Sequence, residues 1–234
     1  MPMFARLFRI ILPNQYVNVK ANKKVDNLFF AELPNDYVVT FGASDTFGTS
    51  EYALLEGKTI PNLTEFTFCF WMNTDDLANY GTVLSYATQS EDNELTFTDY
   101  GGFVLSVKGQ KVVTDITAND GTWTFLCAGW KSPLGLWAVF VNGDLVDSGG
   151  RLAENEKIEG GGLLVLGQEQ DTLGGLFSAA ESFRGQLTRL NIWSTFLGQA
   201  EINRVMNSCL ELTGDLVAWS DFFPGIHGFA QVNV

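Results

Sequence analysis

Short stretches in which apolar and polar residues alternate dominate the chain. In EFTFCFWM, Phe66, Phe68, Phe70 and Met72 fall on one face, and WTFLCAGW alternates in the same way; this is the pattern of half-buried strands. LWAVFVNGDLVDSG sets Asn142-Gly143 between two apolar runs, a residue pair that tolerates the positive φ angles of a two-residue hairpin turn. Helical period appears once in the body. In GQAEINRVMNSC, Ile202, Val205, Met206 and Cys209 recur at spacings of three and four, which predicts one short helix near residues 198–208. Many strands at short intervals with a single helix predict an all-β fold, a two-sheet antiparallel jelly-roll sandwich. No internal repeat or low-complexity tract interrupts it.

The first 36 residues follow another pattern. Phe4, Leu7, Phe8 and Ile11 fall at helical spacing, whereas YVNVK after Pro13 alternates like a strand. The chain therefore divides into an N-terminal extension, residues 1–36, and a body, residues 37–234. Charge separates the two. Residues 1–25 contain Arg6, Arg9, Lys20, Lys23 and Lys24 and no acidic residue, a net of +5, while from Asp26 onward 9 basic residues face 27 acidic ones, a net of −18. An acidic body argues against a nucleic-acid partner and suits cation binding. A basic arm on such a body is expected to dock on a neighbouring copy, as an assembly arm.

With 234 residues, 46% of them apolar, the chain can bury a substantial core. No run of about 18 apolar residues occurs, so no transmembrane segment is expected. The apolar start MFARLFRIIL is short and lacks a small-residue cleavage site, so no signal peptide is evident. Cys69, Cys127 and Cys209 match no zinc spacing; one disulfide plus an odd thiol is the economical reading.

The chemistry concentrates in LGQEQDTLGGLF, residues 166–177, where Glu169, Gln170 and Asp171 stand side by side ahead of a Gly-Gly turn. Calcium takes about six to eight oxygen ligands, best supplied by carboxylates, amide oxygens and backbone carbonyls on a loop that can wrap the ion. One loop cannot complete that shell. SEDNEL, residues 90–95, offers Asp92 and Asn93 as partners.

These residues carry a family resemblance. Residues 161–202, GGLLVLGQEQDTLGGLFSAAESFRGQLTRLNIWSTFLGQAEI, closely resemble the pentraxin domain, and LSYATQSEDNEL, residues 84–95, matches its upstream calcium segment. FLCAGWKS, residues 125–132, resembles the family signature H-x-C-x-[ST]-W-x-[ST]. Cys127, Trp130 and Ser132 are kept, while Phe125 replaces the His and Gly129 the hydroxyl residue. The resemblance covers roughly residues 37–223. It implies a secreted, extracellular, concanavalin-like jelly roll that assembles into a homo-oligomer, a cyclic pentamer or a larger assembly, and binds ligands through two adjacent calcium ions.

Carried over by position, the resemblance assigns Asp92, Asn93, Glu169, the Gln170 backbone carbonyl and Asp171 to the first calcium ion. The second ion would share Glu169 and Asp171 and add the positions of Ser178 and Glu181. There a carboxylate is lost at the first and gained at the second, so one calcium site is expected and the second stays open. The resemblance also implies a Cys69–Cys127 disulfide, leaving Cys209 as a free thiol or a bridge between chains. Relatives that bind phosphocholine use an apolar residue and a carboxylate where this chain places Thr98 and, at or beside the second position, Lys111. A hydroxyl and an ammonium disfavour choline and favour a ligand with a second anionic group.

The reading that results is a calcium-dependent, lectin-like pattern-recognition module of innate-immune type. It is non-enzymatic and captures anionic groups on glycans, phospholipid headgroups or polyanions. A structural protein that polymerises outside the cell through its N-terminal arm is the alternative. Paired carboxylates also serve glycosidases, but clustering on a glycine-flanked loop favours metal over proton transfer. His227, the one histidine, reads as a structural or surface residue. Asn62-Leu63-Thr64 is a glycosylation sequon if the chain is secreted.

Overall fold

The alternation in EFTFCFWM is realised as strand β3 (Glu65–Asn73), which buries Phe66, Phe68, Phe70 and Met72 completely on one face. A computed structural model describes residues 37–42, 48–208, 212–228 and 230–233. Among them two seven-stranded antiparallel sheets face each other. The first runs β10 (Asp144–Gly149), β9 (Leu136–Val141), β8 (Thr124–Lys131), β3, β12 (Gly185–Trp193), β1 (Val38–Phe41) and β14 (Gln231–Asn233). The second runs β13 (Ile226–His227), β2 (Tyr52–Leu54), β11 (Leu163–Leu166), β4 (Leu84–Ala87), β5 (Leu95–Thr98), β6 (Val104–Val107) and β7 (Gln110–Val113). Their inner faces share one aromatic core. Phe68 of the first sheet meets Phe97 of the second edge-on at 5.2 Å, and Phe97 stacks on Phe103 at 4.6 Å, geometries that ring quadrupoles favour.

The first sheet is buried on part of its outer face as well. Cys69, Phe125, Cys127 and Phe140 point away from the sandwich core and lie beneath helix α1 (Gln199–Asn207), which buries Ile202 fully and sets Val205 and Met206 beside it. The helix thus stands where its periodicity places it. Cys209 lies outside the described residues. Two 3-10 segments, Pro133–Gly135 and Trp219–Gly225, accompany the helix.

Cys69 and Cys127 are direct cross-strand partners in β3 and β8, with Cα atoms 4.1 Å apart, and they form a disulfide. The bridge closes a sequence separation of 58, which in the chain-entropy account stabilises the fold by about 4 kcal/mol. Phe125 reaches Trp71 at 5.3 Å on the outer face. At Gly129 a Cβ would come within 3.2 Å of Thr67 Oγ1 and 3.3 Å of the Phe196 ring, so the absence of a side chain there admits that ring.

Local chemistry fixes the remaining corners. Val141 pairs with Asp144 around Asn142 (φ 51°) and Gly143 (φ 90°), the two positive φ values that a type I′ hairpin turn requires. The Tyr37 hydroxyl donates to the Trp219 carbonyl at 2.7 Å and Trp219 Nε1 donates back to the Tyr37 carbonyl at 2.8 Å, with the rings stacked 4.7 Å apart. This clamp ties the start of the body to its last 3-10 segment. The extension expected at residues 1–36 lies outside the described residues. No helix among the described residues is long and apolar enough to cross a membrane.

Candidate functional site

The acidic loop leaves β11 at Gly167, whose φ of +89° and close approach to the Phe41 ring suit glycine. From there the strand-like alternation continues through four polar residues. Gln168 turns inward, its Nε2 donating to the Glu51 carbonyl at 3.0 Å. Gln170 turns inward too, its Nε2 donating to the carbonyls of Ser85 at 2.9 Å and Leu163 at 3.1 Å. Its Oε1 accepts from the Gly174 N–H at 2.9 Å and so staples the loop's own turn. The Gln170 amide is thereby occupied, which leaves its backbone carbonyl as the group it can offer an ion.

Glu169 and Asp171 alternate to the other side, where Glu181 joins them. Carboxylate oxygens of Glu169, Asp171 and Glu181 lie within 4.8 Å of one another. Glu181 is held by its N–H to the Ser178 carbonyl (3.1 Å) and by the Thr82 N–H to its own carbonyl (2.8 Å). Ser178 contributes that backbone bond and stands outside the carboxylate cluster.

Asp92 and Asn93 occupy the turn between β4 and β5. Glu91 caps it, accepting the Asn93 N–H at 3.2 Å, and Asn93 Nδ2 donates to Asp92 Oδ1 at 3.0 Å. Glu94 anchors the turn from below. It is fully buried, paired with Lys108 Nζ at 3.0 Å, and also accepts the Glu159 N–H.

Charge is concentrated at Glu169. The residue is 7% exposed, and its Oε1 has no hydrogen-bond partner among the described residues. Burial, and then the neighbouring carboxylates of Asp171, Glu181 and Asp92, push its carboxyl up to about 7, since desolvation and like charge both disfavour the anion. Such a cluster is short of positive charge, and its donors are all oxygen, the set that suits a hard cation.

A depression of about 370 Å³ opens over the cluster, lined by Glu169, Asp171, Glu181 and Asn93 at one side. Thr98 and Lys111 line it as well. The register explains how they arrive: Thr96, Ser106 and Lys111 are successive cross-strand partners over β5, β6 and β7, and Thr98, Val104 and Val113 form the next row. Lys111 and Val113 are exposed on the terminal strand of this sheet, while Gln110 accepts the Ala153 N–H at 3.2 Å instead. Tyr80, 60% exposed, the half-buried Asp99 and the buried Thr82 complete the wall.

The alternation in LTFT, with Leu95 and Phe97 inward, would have found Thr96. Tyr80 and Thr82 carry no such signal, because a loop brings them in. His227 lies elsewhere, stacked on Tyr52 at 4.6 Å and 3.6 Å from Glu56. The sequon residue Asn62 is exposed, and its Oδ1 accepts the Gly160 N–H at 2.7 Å.

Known proteins share this architecture. A solved structure, the native heptameric SAP-like pentraxin from Limulus polyphemus, superposes with a TM-score of 0.75 at 24% identity, over 86% of this chain and 95% of that one. The extracellular region of zebrafish Gpr126/Adgrg6 contains a similar part, with a TM-score of 0.67 at 20% identity over 86% of this chain and 26% of that one. At those identities the likeness is one of fold.

By sequence the chain is 41% identical over 206 residues to the rat (Rattus norvegicus) sushi, von Willebrand factor type A, EGF and pentraxin domain-containing protein 1, covering 86% of this chain and 6% of that protein. It is 34% identical over 176 residues to human (Homo sapiens) neuronal pentraxin-2, covering 74% of this chain and 41% of that protein. The chain therefore spans less than half the length of either relative. The model of the pentaxin family matches residues 38–233, and the chain accordingly belongs to the pentaxin, or pentraxin, family.

Proposed function

We propose that this chain is a calcium-dependent, non-enzymatic binding domain of the extracellular space that captures ligands through an anionic group. The observation that carries the reading is Glu169: a buried carboxylate oxygen without a partner, crowded by Asp171, Glu181 and Asp92. Glu169, Asp171, the Gln170 carbonyl, Asp92 and Asn93 would hold one calcium ion, and Glu181 brings a third clustered carboxylate towards a second. Bound calcium supplies the positive charge that joins these carboxylates to an anionic ligand group. The chain's own residues set which ligand follows. Lys111 at the rim faces a second anionic group, Thr98 gives choline methyls little apolar burial, and the exposed Tyr80 offers a flat apolar face. Polyanions and sulfated or sialylated glycans fit this wall better than phosphocholine does.

Family membership and the heptameric assembly named for the Limulus relative support the further reading that copies of this chain associate. The decisive experiment is a calorimetric calcium titration of the full chain, with light scattering in parallel. Calcium should bind and should raise the melting temperature, because a ligand of the folded state alone stabilises it by mass action. Identical melting curves in calcium and in chelator would sink the proposal.

A further inference from the structure

We infer that the Thr82 hydroxyl is a working part of the metal site, donating to an oxygen held on the bound cation; the inference rests on the calcium reading above. Thr82 is completely buried, yet its Oγ1 has no hydrogen-bond partner among the described residues. It lines the same depression as Glu169, Asp171 and Glu181, so two of the residues that line one hollow, Thr82 and Glu169, each carry an orphaned polar atom. A buried hydroxyl or carboxylate oxygen left unpaired is destabilising. Both are satisfied together when a cation and its bound oxygens lie between them.

The backbone holds Thr82 at this position. Its N–H donates to the Glu181 carbonyl at 2.8 Å, and flanking bonds run from the Tyr80 N–H to the Ala180 carbonyl at 3.0 Å and from the Val83 N–H to the Phe97 carbonyl at 3.0 Å. Gly81 makes the bend possible, with φ +66° and a position where a Cβ would fall 1.6 Å from Tyr100 Cε1. Thr82 therefore cannot withdraw without unseating the segment that carries Glu181. Its chemistry also complements its neighbours. Ionised carboxylates only accept hydrogen bonds, whereas a hydroxyl also donates. Thr82 thus supplies a donor beside three acceptors, which suits a water or ligand oxygen already bound to the cation. Acting through that oxygen, Thr82 is a positioning residue.

The test compares Thr82→Val, which keeps the shape and removes the hydroxyl, with Thr82→Ser, which keeps the hydroxyl. Each full-length variant is titrated with calcium alone and unfolded by denaturant in chelator. Thr82→Val should be at least as stable as the wild type in chelator, since it loses an unpaired polar group, and should bind calcium about five- to tenfold more weakly. Thr82→Ser should return to within about twofold of the wild type. Equal calcium affinity in wild type and Thr82→Val overturns the inference alone. So does a loss of stability in chelator as large as the loss in calcium, which would make the hydroxyl structural. A wild-type chain that takes up no calcium removes the proposed function, and this inference with it.

Discussion

Glu169→Gln should make the calcium-free protein more stable and shrink the stabilisation that calcium brings. In the folded chain the Glu169 carboxyl is pushed up to about 7 from an ordinary value of 4.5. The folded state therefore holds a proton that the unfolded chain releases between those two values. Stability in chelator must fall as pH rises from about 4.5 through about 7, and above that the ionised carboxylate is fully unfavourable. Taking one unit as 1.36 kcal/mol, the penalty at pH 8 is at most about 3.4 kcal/mol. Glutamine has nearly the same shape and carries no charge, and its amide can donate to Asp171 or Glu181.

Urea unfolding in chelator at pH 5, 6, 7 and 8 reads the effect directly. The wild type should lose stability across the series, and Glu169→Gln should lack that slope. Saturating calcium should narrow the gap, since the wild type gains about 2.7 kcal/mol at a hundred times its Kd and the variant, short of one ligand, gains less. A Glu169→Gln protein less stable than the wild type in chelator at pH 8 would refute the reasoning.

Asp171 belongs to the three-carboxylate cluster, whereas Asp92 acts from the neighbouring turn; Asp171→Asn should therefore raise the calcium Kd more than Asp92→Asn, as calorimetry would report, and equal effects would count against the assignment. Replacing both Cys69 and Cys127 by alanine should lower the unfolding free energy by about 4 kcal/mol, seen as an earlier denaturant midpoint and mimicked by reductant on the wild type. Lys111→Glu should weaken binding to a sulfated glycan surface and strengthen calcium-dependent binding to phosphocholine. Sensor measurements showing neither change would mean that Lys111 takes no part in ligand choice.

The two-sheet architecture was legible because period-two burial in β3 and β8 is strict on the inner face. The outer face reads less well. Cys69 and Phe125 look like the solvent side of a strand until α1 is known to cover them, and that contact joins residues far apart in sequence. The segment WSDFFPG was not legible as a 3-10 helix, since seven residues containing Pro224 show too few turns for a period to emerge. At the site, Glu169, Asp171 and Asp92-Asn93 announced themselves by chemistry. Glu94 did not, because its burial beneath the turn depends on Lys108 and Glu159, which arrive from the β6–β7 turn and the segment before β11. The inward turn of the Gln170 amide was equally hidden, since only the fold brings Ser85 beneath it.

The rows that cross β5, β6 and β7 separate two kinds of inheritance in this molecule. Gln170 is tied into the interior by bonds to Ser85 and Leu163, and Glu169 is buried against like charges, so a change there alters the loop's anchorage or its hold on an ion. Lys111 and Val113 stand exposed on a terminal strand, where substitutions usually alter stability by no more than about 0.5 kcal/mol. Mutational drift can therefore rewrite the rim while selection keeps the ion-holding loop unchanged. A lineage built on this scaffold could exchange one anionic target for another through a few neutral steps on β5 and β7, and a library randomised at Thr98, Lys111 and Val113 would retrace that history in the laboratory.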